Sequence, residues 1–493
     1  MKRATILSSS RGSTGKPWFP PELNGLPALL LPLLLIFTLS SCNLSNSQSP
    51  SSIALTVDAS QPKGEIDLTR YSLGQGGYSP GPQIDKFAAQ IRQLHPPTIR
   101  LFVQEYFDLY PAHGQYHWEA LDNAIQAILA TGAVPIMNLC FKPKVLYPRI
   151  DEKLVQPTSW EEWEQLVSRL VKHCNQDEKY GIKYWEVANE PNTSSGGGTP
   201  YSFTPQEYLP FYTHTVGAIL RADPGAKVGG PALAGVEPEG GIGDALIKYC
   251  GEGKAPLDFF SWHIYNNDPR VFEKSIRDFR SKLAKYPRLS QTETVLDEWN
   301  MSLSNPIMNP YFQPAFILDV TDGFYSGGLS RSAYYEIADV FVDRKAFLTF
   351  MSKSEADAQA HAFNVIPRFL GLYDNLGRVR PAYYAFKLLS LIKGDRLAIN
   401  GLTSDVKGFA ALNNGRTEMV FWNFPLEGKG KTFPITLNFP SNKSGRFILV
   451  GLDPESAVSN LEVIQAGNVS SLQNKPLRVE LSPYKVYWIE IAS

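Results

Sequence analysis

The chain has 493 residues, of which 43% are hydrophobic, 12% aromatic and 19% charged. This composition is typical of a globular protein and excludes a fibrous or disordered one, and the length suits one large domain with a smaller module beside it. The net charge of −1, with no long run of Lys and Arg, excludes the basic surface on which nucleic-acid binding depends.

The first 52 residues have the features of an export signal. Residues 1–21 carry four basic residues and no acidic one, and residues 26–39 form an apolar run that Pro27 and Pro32 interrupt. The run is too short for a good transmembrane helix, so a signal peptide is predicted over residues 1–41. The sequence Leu39-Ser40-Ser41-Cys42 resembles a bacterial lipobox, which makes Cys42 the predicted lipidation site and residues 42–52 a flexible tether. An ordinary signal peptide with a chance cysteine is the alternative. We therefore expect an exported lipoprotein, held at the periplasmic face or the cell surface by its lipid alone.

Three other cysteines, Cys140, Cys174 and Cys250, are odd in number and widely spaced, which argues against a disulfide framework. No Cys/His spacing typical of a metal site is present. No metal and no cofactor are therefore expected.

Residues 71–395 alternate short apolar runs with amphipathic stretches such as Trp118–Ala130 and Trp160–His173. Eight strands alternating with helices predict an α/β fold, a (β/α)8 barrel. A doubly wound sheet is the alternative, but the Gly-rich segment 73–77 lacks the spacing of a nucleotide loop. The predicted barrel strands are Tyr71–Gly74, Thr98–Phe102, Val134–Leu139, Tyr184–Ala188, Lys227–Gly229, Phe259–His263, Thr294–Asp297 and Ser332–Tyr335.

Residues 396–493 show a different pattern, with short β-rich segments and an Asn414-Gly415 hairpin signal between Gly408–Leu412 and Glu418–Asn423. Further strands are expected at Thr432–Phe439, Phe447–Leu452, Leu477–Leu481 and Tyr484–Ile491. This predicts a small C-terminal β-sandwich, to which residues 53–70 add strands. A scaffold role is expected for it, and a separate carbohydrate-binding role is the alternative.

Two glutamates stand at the ends of predicted barrel strands. Glu190 follows the fourth strand in Asn189-Glu190-Pro191, and Glu298 ends the seventh. The carboxyl ends of the strands carry the chemistry in barrels of this kind, so both side chains are expected on one rim. Glycoside hydrolysis needs two carboxyl groups, one protonated and one ionised, on either side of the bond. The alternative for either residue is a surface acid that caps a helix.

Two other acidic residues compete with this pair. Because strand side chains alternate between faces, only one of Asp297 and Glu298 is expected to point into the site. Glu186 lies deeper along the fourth strand and is interpreted as a buried, hydrogen-bonded acid.

Further polar residues at strand ends are predicted to bind substrate or support the pair. The Asn189 amide is placed to bond a sugar hydroxyl, and Arg100 to pair with Glu298. His263 and Tyr265 share a face at the end of the sixth strand, where the tyrosine hydroxyl could hold the carboxylate of Glu298. A core histidine and a structural salt bridge are the alternative interpretations of His263 and Arg100.

These residues resemble clan A glycoside hydrolases, and family 39 most. The stretches Tyr116–Asp122, Phe141-Lys142-Pro143 and Pro381–Phe386 also resemble that family. The resemblance implies a (β/α)8 barrel and a retaining mechanism, with Glu190 as acid/base and Glu298 as nucleophile. It also matches Arg100, His263 and Tyr265 to the family's pattern on strands two and six.

Three positions depart from the family pattern. Ala188 and Tyr335 stand where the family often has Trp, and Phe102 stands where it often has His. All three are expected on the sugar-facing rim, so they leave the sugar and linkage open. Trp299 and Tyr335 complete the predicted substrate-binding residues.

The sequence thus predicts a retaining hydrolase of β-linked oligo- or polysaccharides, of xyloside or exopolysaccharide type. An endo-acting polysaccharide hydrolase with an open cleft is one alternative, and a non-catalytic glycan-binding lipoprotein is another. The oligomeric state is left open.

Overall fold

The computed structural model describes residues 52–76, 84–193, 199–305, 307, 310–365, 369–426, 430–438, 445–452, 461–472 and 476–492. The predicted signal peptide, the lipidation site Cys42 and the tether up to residue 51 lie outside the described residues.

Eight parallel strands close into a barrel, as predicted, while the first strand, β1 (Ile53–Glu65), belongs to the C-terminal domain. The barrel strands follow in chain order: β2 (Ser72–Gln75), β3 (Thr98–Val103), β4 (Val134–Leu139), β5 (Tyr184–Val187), β6 (Lys227–Leu233), β7 (Phe259–Tyr265), β8 (Glu293–Asn300) and β9 (Arg331–Tyr335).

Among the described residues, ten α-helices lie along the same part of the chain, and the sequence gives clear start signals for some of them. Ser159 caps the third helix, and Thr204 and Glu207 form a reciprocal capping box in front of Pro205 at the start of the fourth. The helices are α1 (Ala88–Arg92), α2 (Glu119–Ala130), α3 (Trp160–Lys172), α4 (Pro205–Ala222), α5 (Ile242–Gly251), α6 (Pro269–Leu283), α7 (Gln313–Gly327), α8 (Arg344–Phe347), α9 (Lys353–Ala360) and α10 (Pro381–Leu391).

The barrel interior has two layers of different chemistry. Toward the amino-terminal ends of the strands, a small apolar cluster fills it: Ile136, Tyr184, Phe259 and Val295. Nearer the carboxyl ends the buried side chains are polar or charged: Arg100, Asn138, Glu186, Ser261, His263, Asp297 and Glu298. The charged layer therefore rests on an apolar floor.

In the part of the chain that the structure describes, the C-terminal domain is a single curled sheet of nine strands. Its strands besides β1 are β10 (Asp395–Asn400), β11 (Val406–Asn413), β12 (Arg416–Asn423), β13 (Phe433–Asn438), β14 (Arg446–Leu452), β15 (Glu462–Asn468), β16 (Leu477–Leu481) and β17 (Val486–Ala492). The strand order is β15-β14-β17-β12-β11-β10-β1-β13-β16. Phe447 on β14 and Leu481 on β16 belong to one hydrophobic core, although their strands lie near opposite edges of the sheet. The sheet therefore curls over to make a sandwich-like domain.

The two faces of this sheet are buried against different partners. On β12, Met419 and Phe421 enter the sandwich core, whereas Val420 and Trp422 pack into the core that includes the barrel. The indole of Trp422 donates a hydrogen bond of 2.9 Å to Asp319 on α7. This alternation attaches the domain to the outside of the barrel.

The fold class is therefore confirmed, with two strands that the sequence pattern did not indicate. β1 pairs with β10 and β13, so residues 53–65 do lie in the C-terminal sheet. β10 and β15 were not predicted, and β15 is exposed along most of its length, which leaves it without apolar alternation. Among the described residues, no helix has the length and apolarity to cross a bilayer.

Candidate active site

The two predicted catalytic glutamates meet at the carboxyl-terminal rim of the barrel. Glu298 lies on β8, and Glu190 lies three residues after β5. One oxygen of each carboxyl group and a ring nitrogen of His263 all lie within 4.8 Å of one another. Three such atoms have the spacing of a metal site, although both oxygens of Glu298 already accept hydrogen bonds from the protein.

Arg100 is the centre of the charged layer. It is fully buried, and its guanidinium donates to Glu186 at 2.7 Å, to Glu298 at 2.8 Å and to the Asn189 amide oxygen at 2.7 Å. It also lies 3.0 Å from Asp297. A guanidinium suits this position because its donors spread in a rigid plane. Arg100 therefore fixes the carboxylate predicted to be the nucleophile and the amide beside the predicted acid.

The expectation that only one of Asp297 and Glu298 faces the interior was wrong. Both lie next to Arg100. The pairing of β7 with β8 shifts between Trp262 and His263, from Leu296 to Glu298, which leaves Asp297 as the extra residue of a β-bulge. A bulge re-aims the side chains that follow it, so two consecutive acidic side chains enter the site.

The backbone at Glu190 departs from the strand that precedes it. Ala188 and Glu190 have φ angles of 69° and 45°, in the left-handed region that non-glycine residues seldom adopt. Hydrogen bonds hold this turn on both sides, from Asn138 to the Ala188 carbonyl at 2.6 Å and from the Glu190 N–H to the Ala232 carbonyl at 2.8 Å. Strain of this kind is common where a catalytic side chain is positioned.

His263 and Tyr265 on β7 connect the two glutamates. Nδ1 of His263 lies 2.9 Å from Glu190 and 3.5 Å from Glu298, and Nε2 lies 3.3 Å from Asp297. The Tyr265 hydroxyl donates to Oε2 of Glu298 at 2.6 Å. The predicted contact between Tyr265 and Glu298 is thus observed.

The environments of the two glutamates differ. Burial raises the pKa of Glu190, and the negative charge of Glu298 acts in the same direction, whereas His263 opposes them. Glu298 instead receives two hydrogen bonds, from Arg100 and Tyr265, that stabilise negative charge on it.

Neighbouring charges also shift the pKa values of His263 and Glu186. Burial alone would lower the pKa of His263, but the charges of Glu298 and Asp297 outweigh it and raise this pKa to about 10. Burial raises the pKa of Glu186 to about 7, and Arg100 acts in the opposite direction. Glu186 is the buried, hydrogen-bonded acid that the sequence indicated.

Aromatic rings surround this polar centre. Tyr335 contacts both Phe102 and Tyr265 edge to face, with ring centroids 6.3 Å apart in each pair. The Arg100 guanidinium lies over the Phe102 ring at 4.5 Å. Two positions that depart from the family pattern, Phe102 and Tyr335, therefore contact the residues that bond Glu298, namely Arg100 and Tyr265.

The structure does not bring Trp299 to this centre. Its ring is fully buried among Phe272, Phe324 and Tyr334, and its indole donates to Ser332 at 3.1 Å. The prediction that Trp299 binds substrate is corrected, because Glu298 faces the barrel interior and Trp299, the next residue of β8, faces the helices outside the barrel.

One residue of the site was missed by the sequence reasoning. Asn138 donates to Glu186 at 2.8 Å as well as to the Ala188 carbonyl. It lies near the carboxyl end of an otherwise apolar predicted strand, and a single amide at such a position indicates a side chain that faces the site.

Comparison with known proteins agrees with this geometry. Residues 111–426, more than half of the chain, match the model of glycosyl hydrolases family 39. The chain belongs to family 39 of the glycosyl hydrolases. This confirms the resemblance seen in the sequence.

Named relatives and solved structures are similar to this chain at identities between 17% and 27%. A β-xylosidase of Caldicellulosiruptor saccharolyticus is 27% identical over 57% of this chain and 57% of its own length, and one of Geobacillus stearothermophilus is 26% identical over 68% and 67%. The match thus covers little more than half of the first relative. A monomeric β-xylosidase of Caulobacter crescentus has a TM-score of 0.69 at 19% identity, covering 90% of this chain and 99% of that one. A family 39 enzyme of Xanthomonas axonopodis pv. citri has a TM-score of 0.69 at 17% identity, covering 91% and 99%.

Proposed function

We propose that this protein is a retaining glycoside hydrolase acting on β-linked sugars, with Glu298 as nucleophile and Glu190 as acid/base. The observation that carries the proposal is the close approach of two carboxyl groups whose surroundings differ. Their nearest oxygens lie within 4.8 Å. Carboxyl groups about 5–5.5 Å apart are typical of retaining enzymes, whereas inverting enzymes need about 6.5–9.5 Å to admit a water.

In the first step, Oε1 or Oε2 of Glu298 attacks the anomeric carbon while Glu190 gives its proton to the leaving oxygen. A glycosyl ester forms on Glu298, and the aglycone departs as an alcohol. In the second step, Glu190 takes a proton from water, which attacks the anomeric carbon and releases Glu298 as a carboxylate.

The electrostatics support this change of role by Glu190. The negative charge of Glu298 is one cause of the raised pKa of Glu190. That charge disappears when the glycosyl ester forms, so the pKa of Glu190 falls and the residue becomes a base when one is needed.

Two observations guide the choice of substrate. Two relatives carry the name β-xylosidase, so a β-xyloside is the first substrate to test. The rim of this site differs from the family pattern at Ala188, Phe102 and Tyr335, so β-linked exopolysaccharide fragments are tested next. An endo-acting enzyme and a glycan-binding protein without turnover are the competing functions.

The experiment is hydrolysis of an aryl β-xyloside and of a panel of other aryl β-glycosides. NMR monitors the anomeric configuration of the released sugar as it first forms. The β-anomer should appear first and then mutarotate. Initial release of the α-anomer would overturn the retaining mechanism, and binding without turnover across the panel would favour the glycan-binding alternative.

We also propose that the protein is exported and anchored through Cys42, on the lipobox-like sequence before it. Metabolic labelling with a fatty acid should mark the wild type and not Cys42→Ala. Equal labelling of the two would contradict the anchor.

A further inference from the structure

Two acidic side chains of the charged layer face each other inside the barrel. Glu186 on β5 and Asp297 in the bulge of β8 lie 2.7 Å and 3.0 Å from the Arg100 guanidinium, and both side chains are fully buried. Their carboxyl groups are also within hydrogen-bonding reach of one another. We call Glu186 and Asp297 the acid pair, and neither residue takes part in the catalytic steps proposed above.

Most oxygens of the acid pair lack a normal hydrogen bond. Oε1 of Glu186 and both carboxyl oxygens of Asp297 are buried, and none of them accepts a hydrogen bond of normal geometry among the described residues. Two ionised carboxylates in this position repel each other and lose their hydration without replacement. A protonated carboxyl group donates through its O–H, so a proton on one acid converts the contact into a hydrogen bond.

The formal charges of the layer favour such a proton. Arg100 carries one positive charge and His263 another, because the charges of Glu298 and Asp297 outweigh the effect of burial and raise the pKa of His263 to about 10. With Glu190 protonated, Glu298 and an ionised acid pair would carry three negative charges against these two positive ones. One proton on the acid pair makes the layer neutral, and an uncompensated buried charge is costly.

The other groups that face the acid pair do not alter this count. They are Asn138 on β4, Cys140 after β4, Tyr208 on α4 and Ser261 on β7. Burial raises the pKa values of the Cys140 thiol and the Tyr208 hydroxyl, so both groups are neutral at neutral pH. The amide of Asn138 and the hydroxyl of Ser261 carry no charge.

The surroundings favour Glu186 as the main carrier of the proton. Asp297 lies near both cations, 3.0 Å from Arg100 and 3.3 Å from His263, and two positive charges stabilise its ionised form. Glu186 contacts only Arg100 among the cations of the described residues, and burial raises its pKa. The O–H group is therefore placed on Glu186, with Asp297 as its acceptor.

We propose that Glu186 and Asp297 share one proton at neutral pH, and that this proton keeps the charged layer neutral through both catalytic steps. The second half of this inference rests on the proposed function. In the free enzyme the negative charges lie on Glu298 and the acid pair. When the glycosyl ester forms, Glu298 loses its charge and Glu190 gains one by giving its proton to the leaving oxygen, so the net charge does not change. The acid pair transfers no proton itself, and its two members are positioning residues that hold the charge balance.

Infrared spectroscopy counts this proton without any need for turnover, because a protonated carboxyl group absorbs apart from a carboxylate. At neutral pH, Glu186→Gln and Asp297→Asn should each lose one protonated carboxyl group per chain relative to the wild type. The variant with both substitutions should also lose one group rather than two. This pattern follows because either single substitution leaves the remaining acid of the pair ionised beside Arg100.

Glu336→Gln is the matched control. Burial raises the pKa of Glu336 well above its usual range, so this variant should lose one protonated carboxyl group of its own, and two when combined with Asp297→Asn. A loss in Glu186→Gln without one in Asp297→Asn would overturn the shared proton. So would no loss in either single variant, or a loss of two groups when both members of the acid pair are substituted.

A labelled protein keeps the test decisive if Glu186→Gln does not fold. Isotope-labelled glutamate carboxyl groups are then compared between the wild type and Asp297→Asn. A protonated glutamate band that disappears when an aspartate is substituted supports the shared proton, and a band that persists overturns it.

The same variants test the link to catalysis. Each single variant leaves the layer neutral, whereas the variant with both substitutions has one excess positive charge, which stabilises the ionised form of Glu190. Its alkaline limb of kcat/KM should therefore lie at lower pH than that of either single variant. Equal limbs would overturn the link to catalysis. A wild type that hydrolyses no aryl glycoside would overturn both the proposed function and this link, and the infrared count would still decide the shared proton.

Discussion

The two layers of the barrel interior have the same surroundings of eight strands and opposite chemistry. The floor packs Ile136, Tyr184, Phe259 and Val295 against one another, and such contacts tolerate small changes. The layer above it surrounds one buried arginine with three acidic side chains and depends on each partner being present. The comparison teaches that one barrel interior separates an apolar layer that contributes to stability from a charged layer that carries the proposed chemistry. A substitution in the floor should therefore change the free energy of unfolding, and one in the charged layer should change activity as well.

The largest effect is expected from removing the proposed nucleophile. Glu298→Gln keeps the shape and one hydrogen-bond acceptor, but it removes the attacking charge. The kcat should fall on the order of 10⁴-fold or more, as for nucleophile removal in other enzymes. Steady-state hydrolysis of an aryl β-xyloside measures this, and circular dichroism should show an unchanged fold. Residual activity within tenfold of the wild type would contradict the assignment of Glu298.

Asp297→Asn is the matched control in the same bulge. Asp297 lies 3.0 Å from Arg100 and 3.3 Å from His263, so it supports both without reaching the predicted point of attack. Its kcat should fall far less than that of Glu298→Gln. If the two variants lose the same factor in kcat, the assignment of Glu298 as nucleophile and Asp297 as a supporting acid is wrong.

The second effect is on stability. Arg100→Met should reduce the free energy of unfolding by about 3–5 kcal/mol, because it leaves Glu186, Asp297 and Glu298 buried without the guanidinium that pairs with all three. Chemical denaturation measures the loss. Arg331→Met is the matched control, since Arg331 pairs with Glu293 at 2.8 Å where both side chains are partly exposed. It should cost about 0–1 kcal/mol, and equal losses for the two variants would remove the distinction between the layers.

Much of this arrangement could be predicted, and the reasons for the failures are local. The strand pattern identified Arg100, Glu190, His263 and Glu298, because inward-facing residues in the later part of a barrel strand, or just after it, lie toward the rim. The bulge at Asp297 left no trace in the apolar pattern of β8, so side-chain parity failed there and excluded one of the two acidic side chains that face Arg100.

The third effect is a shift in the pH profile. In the proposed mechanism Glu190 carries a proton in the first step, so the loss of kcat/KM at high pH should follow its pKa. His263 lowers that pKa, and His263→Gln should therefore move the alkaline limb to higher pH. His214→Gln is the control, because His214 stacks on Trp160 far along α4 and should leave the profile unchanged. A limb that moves to lower pH would mean that His263 does not act on Glu190 through its charge.

His263 also links stability to pH. Its pKa is raised from 6.5 to about 10 by the acids around it. Its protonated form therefore stabilises the fold fully below pH 6.5, and this contribution is lost as the pH rises through about 10. In His263→Gln, the melting temperature should depend less on pH across that interval than in the wild type.

The smallest effect is expected in the apolar floor. Ile136→Val removes one buried methylene and should lower the free energy of unfolding by about 0.5–1.5 kcal/mol, while leaving kcat, KM and the alkaline limb as they are. Chemical denaturation and steady-state kinetics on the same preparation measure both. Ile136 pairs in register with Arg100 on the neighbouring strand, so the variant lies one strand away from the charged layer. If kcat falls in proportion to stability, the floor is part of the catalytic machinery and the two layers act as one. If only stability falls, the floor carries the charged layer without taking part in its chemistry.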